Sequence, residues 1–229
     1  MYKKHSDIET PDLTQEIWRY MDLWKFLDIL DNSRIYLAQA IQFEDKLDGR
    51  IPNNKIKLLD DEHLLKQLDN FSATSLKRSH YVGCWSSEVN ETYPMWKVYS
   101  DYRTAVAIKT TVGDLIDSLS SEEKNIYIGK INYVDPNKSY EFKGNAFQFF
   151  FEKRVYFSFE NEVRVLTTMK YNGNRELLEL PPGTFIKIKP ETLIKEIKLA
   201  PLAGESFKKL IELKLADMKM NIPVTFSEI

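Results

Sequence analysis

Glu160, Glu162 and Arg164 recur at every second position of the stretch Phe157-Ser158-Phe159-Glu160-Asn161-Glu162-Val163-Arg164-Val165-Leu166. The alternation predicts a half-buried strand, with Phe157, Phe159, Val163 and Val165 on one face and Ser158, Glu160, Glu162 and Arg164 on the other. Side chains at i and i+2 of a strand point the same way, so two carboxylates and a guanidinium would stand side by side. Two like charges at that spacing repel unless something compensates or uses them, and such carboxylate pairs often take separated pKa values and divided roles. The plain alternative is a solvated outer face on which Arg164 pairs weakly with the glutamates.

Other residues suited to binding are spread along the chain. Glu16 to Met21 reads as a short strand on which Trp18 and Tyr20 face one way and Arg19 the other; a recessed arginine makes a clamp for phosphate or carboxylate. Tyr81 to Ser87 reads as a strand ending in two hydroxyls, Ser86 and Ser87. Pro94 starts a helix with Met95, Trp96 and Tyr99 along one face. Aromatics at that spacing are more often core than a stacking surface for a ligand ring. Lys153 and Arg154 stand just ahead of the carboxylate stretch.

The composition narrows the classes. With 229 residues, 43% hydrophobic and 13% aromatic, the chain can bury a sizeable core, and a single α+β domain over 1–229 is expected, with 1–15 poorly structured. Basic and acidic residues, 32 against 34, leave a net charge of −2, which gives no global attraction to nucleic acid or anionic membrane. A local patch from Lys153, Arg154 and Arg175 remains open. Cys84 is the single cysteine, so no internal disulfide framework exists and a reducing, cytoplasmic setting is expected. His5, His63 and His80 lack ligand spacing, and no metal site is expected. No run approaches a bilayer-spanning length. The phosphate-loop, dinucleotide and nucleophile-elbow glycine motifs are absent.

Around these residues the pattern places a helix over Asp22 to Leu30 with Asp22 as N-cap, and a strand over Arg34 to Ala38. An acidic loop follows over Ile41 to Ile56, then a helix over Leu59 to Phe71 and a polar, lid-like stretch over Ser72 to Ser79. Next come a strand over Arg103 to Thr110, a helix over Val112 to Leu119 capped by Thr111 or Gly113, and a strand over Ile126 to Val134. An aromatic-rich helix is expected over Asn145 to Arg154. Strands at Thr184 to Ile188, Ile194 to Leu199 and Ile222 to Phe226 surround a helix over Glu205 to Met220. About eight or nine strands and five or six helices in this order predict an α+β domain with a mixed, mainly antiparallel sheet flanked by helices.

The chain resembles the bacterial and phage family called domain of unknown function 2971. The resemblance rests on Trp18-Arg19-Tyr20, on Phe43-Glu44-Asp45, on Cys84-Trp85-Ser86-Ser87-Glu88 with Met95-Trp96 and Tyr99, and on Phe157 to Arg164. It spans about Ile17 to Ser227, and the loop lacks the family's usual Asn-Asp-Pro run. The order of Arg, Ser and Glu-x-Glu is also similar to the Arg-Ser-Glu class of ADP-ribosyltransferases, which implies a split sheet and NAD as co-substrate. That resemblance implies Glu162 as the catalytic carboxylate and Glu160 as the group that orients or deprotonates the acceptor. It implies Arg19, with Tyr20 beside it, as the grip on NAD, and Ser86 or Ser87 as support on the nicotinamide side. Trp96 or Tyr99 would stack on nicotinamide and Arg164 would border the site. A toxin or phage-defence effector modifying protein or nucleic acid, and held in check by a neutralising partner, would follow. Two other readings stand beside it: a non-catalytic interaction module, against which a Glu162 buried beside a pocket would count, and a metal-dependent nuclease, disfavoured by Arg164 where a lysine would be expected.

Overall fold

In the computed structural model the chain runs β1 (Glu16–Asp22), α1 (Leu23–Asn32), β2 (Arg34–Gln39), α2 (Ala73–Ser79), β3 (His80–Ser86), α3 (Tyr93–Tyr99), β4 (Ala105–Thr111), α4 (Val112–Ser118), β5 (Ile126–Lys130), β6 (Asn132–Val134), β7 (Glu152–Arg154), β8 (Glu162–Thr168), β9 (Gly183–Lys187), α5 (Pro190–Leu193), β10 (Glu196–Leu199), α6 (Glu205–Asp217) and β11 (Val224–Phe226). The structure describes residues 1–43, 45, 48, 73–135, 137, 146–169 and 180–229. The expected helix Leu59 to Phe71, most of the acidic loop and Arg175 lie outside them.

The sheet is mixed and mainly antiparallel, as the alternation predicts, with β10 and β11 the parallel pair within it. It consists of two halves, β11-β10-β4-β1 and β9-β2-β3-β8-β5. They meet where β1 and β3 share the pair Trp18↔Ser86. On the same edge of β3, β2 pairs at Tyr81 and Val82, so between Gly83 and Trp85 the strands β1 and β2 part like a fork. Gly83 sits in it, where a Cβ would come within 2.5 Å of Leu37 Cδ2. A side chain there would have to displace the Leu37 methyl and would touch the Arg19 guanidinium, 3.5 Å away.

Alternation sorts the core by face. Ile17 and Met21 of β1 join Leu37, Tyr81, Trp85, Val163 and Val165 in the main cluster. Trp18 and Tyr20 pack on the other face with Met95, Trp96, Ala105 and Ala107. Val82, Phe150, Phe151 and Leu166 form a third cluster.

Several expectations are corrected. Asp22 precedes α1 without capping it; its carboxylate accepts instead from the Asp101 amide at 2.9 Å. Thr111 does cap α4, accepting from the Asp114 amide at 3.1 Å. Residues 73–79 of the lid-like stretch form α2, and the adjoining His80 stacks on Phe150 with 4.2 Å between ring centres. The aromatic helix before Arg154 reduces to a 3-10 turn, Ala146–Phe150, and the chain then extends as β7 to pair with β6. Residues 1–15 contain no helix or ladder strand; Tyr2 forms an isolated bridge to Ile126 and Ile8 is buried. Among the described residues no helix is long and apolar enough to cross a membrane.

Candidate active site

The carboxylate stretch is not one strand. Val155–Glu160 winds as a 3-10 turn, Asn161 closes it in the left-handed region at φ 40° and ψ 58°, and β8 starts only at Glu162. Asparagine tolerates that conformation because its short amide bonds locally. The Asn161 carbonyl accepts from the Ser87 amide at 2.8 Å and from Ser87 Oγ at 2.7 Å, which pins the turn to the end of β3. Phe157 and Phe159 are therefore not the anchors the alternation predicts, and Phe159 is 41% exposed. Glu160 and Glu162 arrive at one place from two different elements.

Both are buried, Glu160 at 4% and Glu162 at 3% exposure, so the solvated-face alternative is excluded. Arg164 runs beside Glu162, with Nε donating to Oε1 at 2.7 Å and Nη2 to Oε2 at 3.1 Å. Its other edge donates to Asp48 at 2.9 and 2.6 Å and to the Phe150 carbonyl at 2.8 Å. From β7, Lys153 donates to Glu160 at 2.5 Å and to Glu162 at 3.4 Å. The Glu162 amide donates to the Tyr133 hydroxyl at 2.9 Å. Buried charges persist only when paired and hydrogen-bonded, and this network meets that condition.

The two carboxylates are driven apart. Burial pushes Glu162 up, but the Arg164 guanidinium and Lys153 outweigh it and hold it at about 2. Burial also raises Glu160, and there Lys153 does not overcome it, so Glu160 stays above the usual carboxylate range. Tyr99 hydrogen-bonds to Glu160, and burial raises its phenol. Cys84 hydrogen-bonds to Glu162; its sulfur is reachable from solvent, yet the enclosing protein pushes the thiol well up.

These groups open onto a small cleft of about 40 Å³, well below the usual range of ligand pockets. One wall comes from β1 and α3 through Trp18, Tyr20, Met95 and Tyr99; the other comes from Cys84, Trp85 and Ser86 of β3, with Glu160 and Glu162. The cleft thus straddles the junction of the two half-sheets. Buried Trp18 Nε1, Trp85 Nε1 and Ser86 Oγ have no hydrogen-bond partner.

Of the residues singled out by sequence, Glu160, Glu162, Tyr20, Ser86 and Tyr99 are brought together here. Arg19 is not. Its side chain leaves the opposite face of β1 from Trp18 and Tyr20, donates Nη2 to the Tyr36 carbonyl at 2.8 Å across the fork and lies 5.6 Å from the Trp85 ring centre. Burial lowers it to about 10. Ser87 holds Asn161, and Arg164 is engaged by Glu162 and Asp48. Trp96, fully buried, donates to Glu91 at 2.8 Å behind Tyr20. Sequence reasoning gave no role here to Asp48, Tyr133, Cys84, Trp18 or Trp85, and saw Lys153 only as a neighbour. Long separations hid Asp48 and Lys153, while Trp18 and Trp85 flank residues already singled out. Among the described residues no three His, Cys, Asp or Glu side chains are grouped to hold a metal ion.

No protein-family model matches the chain, so the resemblance to domain of unknown function 2971 has no matching model behind it. No curated protein matches either. Among solved structures the chain is similar to Thermus sp. 2.9 DarT in complex with NAD+, with 11% identity and a TM-score of 0.40 over 96% of this chain and 98% of that one.

Proposed function

We propose that the cleft is the active site of an NAD-consuming ADP-ribosyltransferase, with Glu162 as the charge-stabilising carboxylate and Glu160 as the proton acceptor. The observation that carries this reading is the pair of buried carboxylates lining one cleft with their pKa values displaced in opposite directions. Divided acid and base roles require such a separation.

NAD supplies a ribose whose bond to nicotinamide breaks with the electron pair leaving on the ring nitrogen. Glu162, kept ionised by Arg164, places negative charge where the ribose becomes positive, as carboxylates do in glycoside cleavage. Glu160, held by Lys153 and Tyr99, takes the proton released as an acceptor oxygen or nitrogen bonds to the ribose carbon. The aromatic walls suit the nicotinamide–ribose end. The lining residues include neither lysine nor arginine, so the diphosphate would lie outside the described walls.

Nicotinamide release separates the roles. Glu162→Gln is expected to lower release by about a hundredfold or more, the scale of losing one transition-state charge partner. Glu160→Ala is expected to impair transfer to an acceptor more than hydrolysis; equal losses in both would remove its assigned role. A non-catalytic module is the second reading, favoured by the pairing of both Glu162 oxygens with Arg164. Under it, Glu162→Gln would lower stability and there would be no release to lose.

A further inference from the structure

We propose that the acceptor is an uncharged group, a hydroxyl or an amide, and that Lys153 determines this by occupying the place beside Glu160 that an amine or guanidinium would need. The inference deepens the transferase reading and rests on it, since it names the acceptor class of the same site.

Lys153 reaches the carboxylates from β7, and Glu160 stands at the end of the turn that follows, so the fold itself sets their meeting. The ammonium donates to Glu160 Oε2 at 2.5 Å and to Glu162 Oε2 at 3.4 Å, and lies 4.0 Å from Asp48 Oδ2. Its side chain is only 9% exposed, and the centre of the Phe157 ring lies 4.8 Å from its nitrogen. Pulling a buried ammonium off its carboxylates strands an unpaired charge, so an incoming cation does not readily displace it. Arg164 in the same way holds both oxygens of Glu162 and both of Asp48. Among the described residues of this network, every carboxylate already has its cation.

The count of charges points the same way. Asp48, Glu160 and Glu162 bring three negative charges when ionised, and Lys153 and Arg164 bring two positive ones. The nicotinamide ring of NAD carries one positive charge and balances the set. A cationic acceptor would arrive as a fourth cation, shedding its water with no carboxylate to replace it. A hydroxyl or an amide asks less. An ionised carboxylate offers about four lone-pair sites, so Glu160, bound by Lys153 and Tyr99, still accepts one more hydrogen. The step then balances: the acceptor atom bonds to the ribose carbon, the nicotinamide bond breaks with its electron pair on the ring nitrogen, and the acceptor's proton passes to Glu160.

Methanol and methylguanidinium present the same methyl group on an uncharged and a cationic acceptor. Supplied at equal concentration with NAD, they are expected to give the wild type's methanol product in about tenfold or greater excess by mass spectrometry. Lys153→Met removes the charge and keeps the chain length. It is expected to raise the ratio of methylguanidinium to methanol product by about tenfold or more, the scale of removing a like charge from close contact. Lys153→Arg keeps the charge and is expected to keep the wild-type ratio. A purely structural role for Lys153 would lower both products together and leave the ratio unmoved.

The wild type alone decides the acceptor class, whether or not Lys153→Met folds. Equal transfer to both acceptors, or an unchanged ratio in folded Lys153→Met, would overturn the proposal, while the cleavage of NAD in the same samples leaves the transferase reading standing. A folded wild type that neither binds nor cleaves NAD would overturn both.

Discussion

At the residue scale the site depends on Glu162 being kept ionised by Arg164 and Lys153. Its value in the fold, about 2, lies below its ordinary 4.5. The stabilisation from its ionised form is therefore fully present above 4.5 and is lost as pH falls toward about 2. Glu160 is raised instead, so its contribution has the opposite sign: burying it favours the fold while it is protonated and costs stability as it ionises. Urea unfolding followed from pH 5 downward should show a falling stability that Glu162→Gln flattens; an unchanged slope would mean the Arg164 and Lys153 contacts do not hold this charge. Much of the site was legible at this scale. The alternation of β1 already set Arg19 against Trp18 and Tyr20, so the order of residue types suggested a grip that the strand's own period argued against. Arg164 showed its role through spacing alone, two residues from Glu162. Lys153 and Asp48 did not, because the loop and turns that bring them in leave no periodic trace.

At the element scale the decisive feature is the break at Asn161. Strand periodicity ran through Phe157 and Phe159 because their apolar character matched the pattern, but one residue in the left-handed region turned the first half into a 3-10 turn. That break aims Glu160 into the cleft from the turn's end while Glu162 enters from β8. A β-branched residue resists the conformation, so Asn161→Val is expected to cost about 1–2 kcal/mol in denaturant unfolding, whereas Asn161→Gly should be close to neutral. Equal costs for the two would mean that the side-chain amide, and not the backbone angle, holds the turn. The strands with a clean period, β1 to β4 and β9 to β11, were foreseen with ends shifted by a few residues, whereas only the second half of the stretch expected around Glu162 became β8. The aromatic stretch before Arg154 was misread because Phe147, Phe150 and Phe151 reach a shared apolar cluster from a short turn as well as they would from a helix.

At the scale of the whole molecule, two half-sheets share one strand pair, and the cleft lies where they join. Arg19 ties β1 to β2 across the fork as a desolvated cation with one strong hydrogen bond and an indole face nearby. Replacing a buried, weakly paired charge by an apolar chain of similar length is often neutral or stabilising. Arg19→Met should accordingly keep its stability to within about 1 kcal/mol and its NAD affinity to within about twofold; a large loss of affinity would put Arg19 back in the ligand site. No single run of sequence announces this arrangement, because β3 sits between partners that precede and follow it by many residues. The central claim is that the junction cleft binds NAD and that Glu162 serves the breaking of its nicotinamide bond. Calorimetric titration of NAD into wild type and Glu162→Gln, with nicotinamide followed in the same samples, tests it most directly. Saturable binding by both, with release by wild type alone, is the predicted result; no binding by folded wild type, or release that survives the substitution, would contradict it.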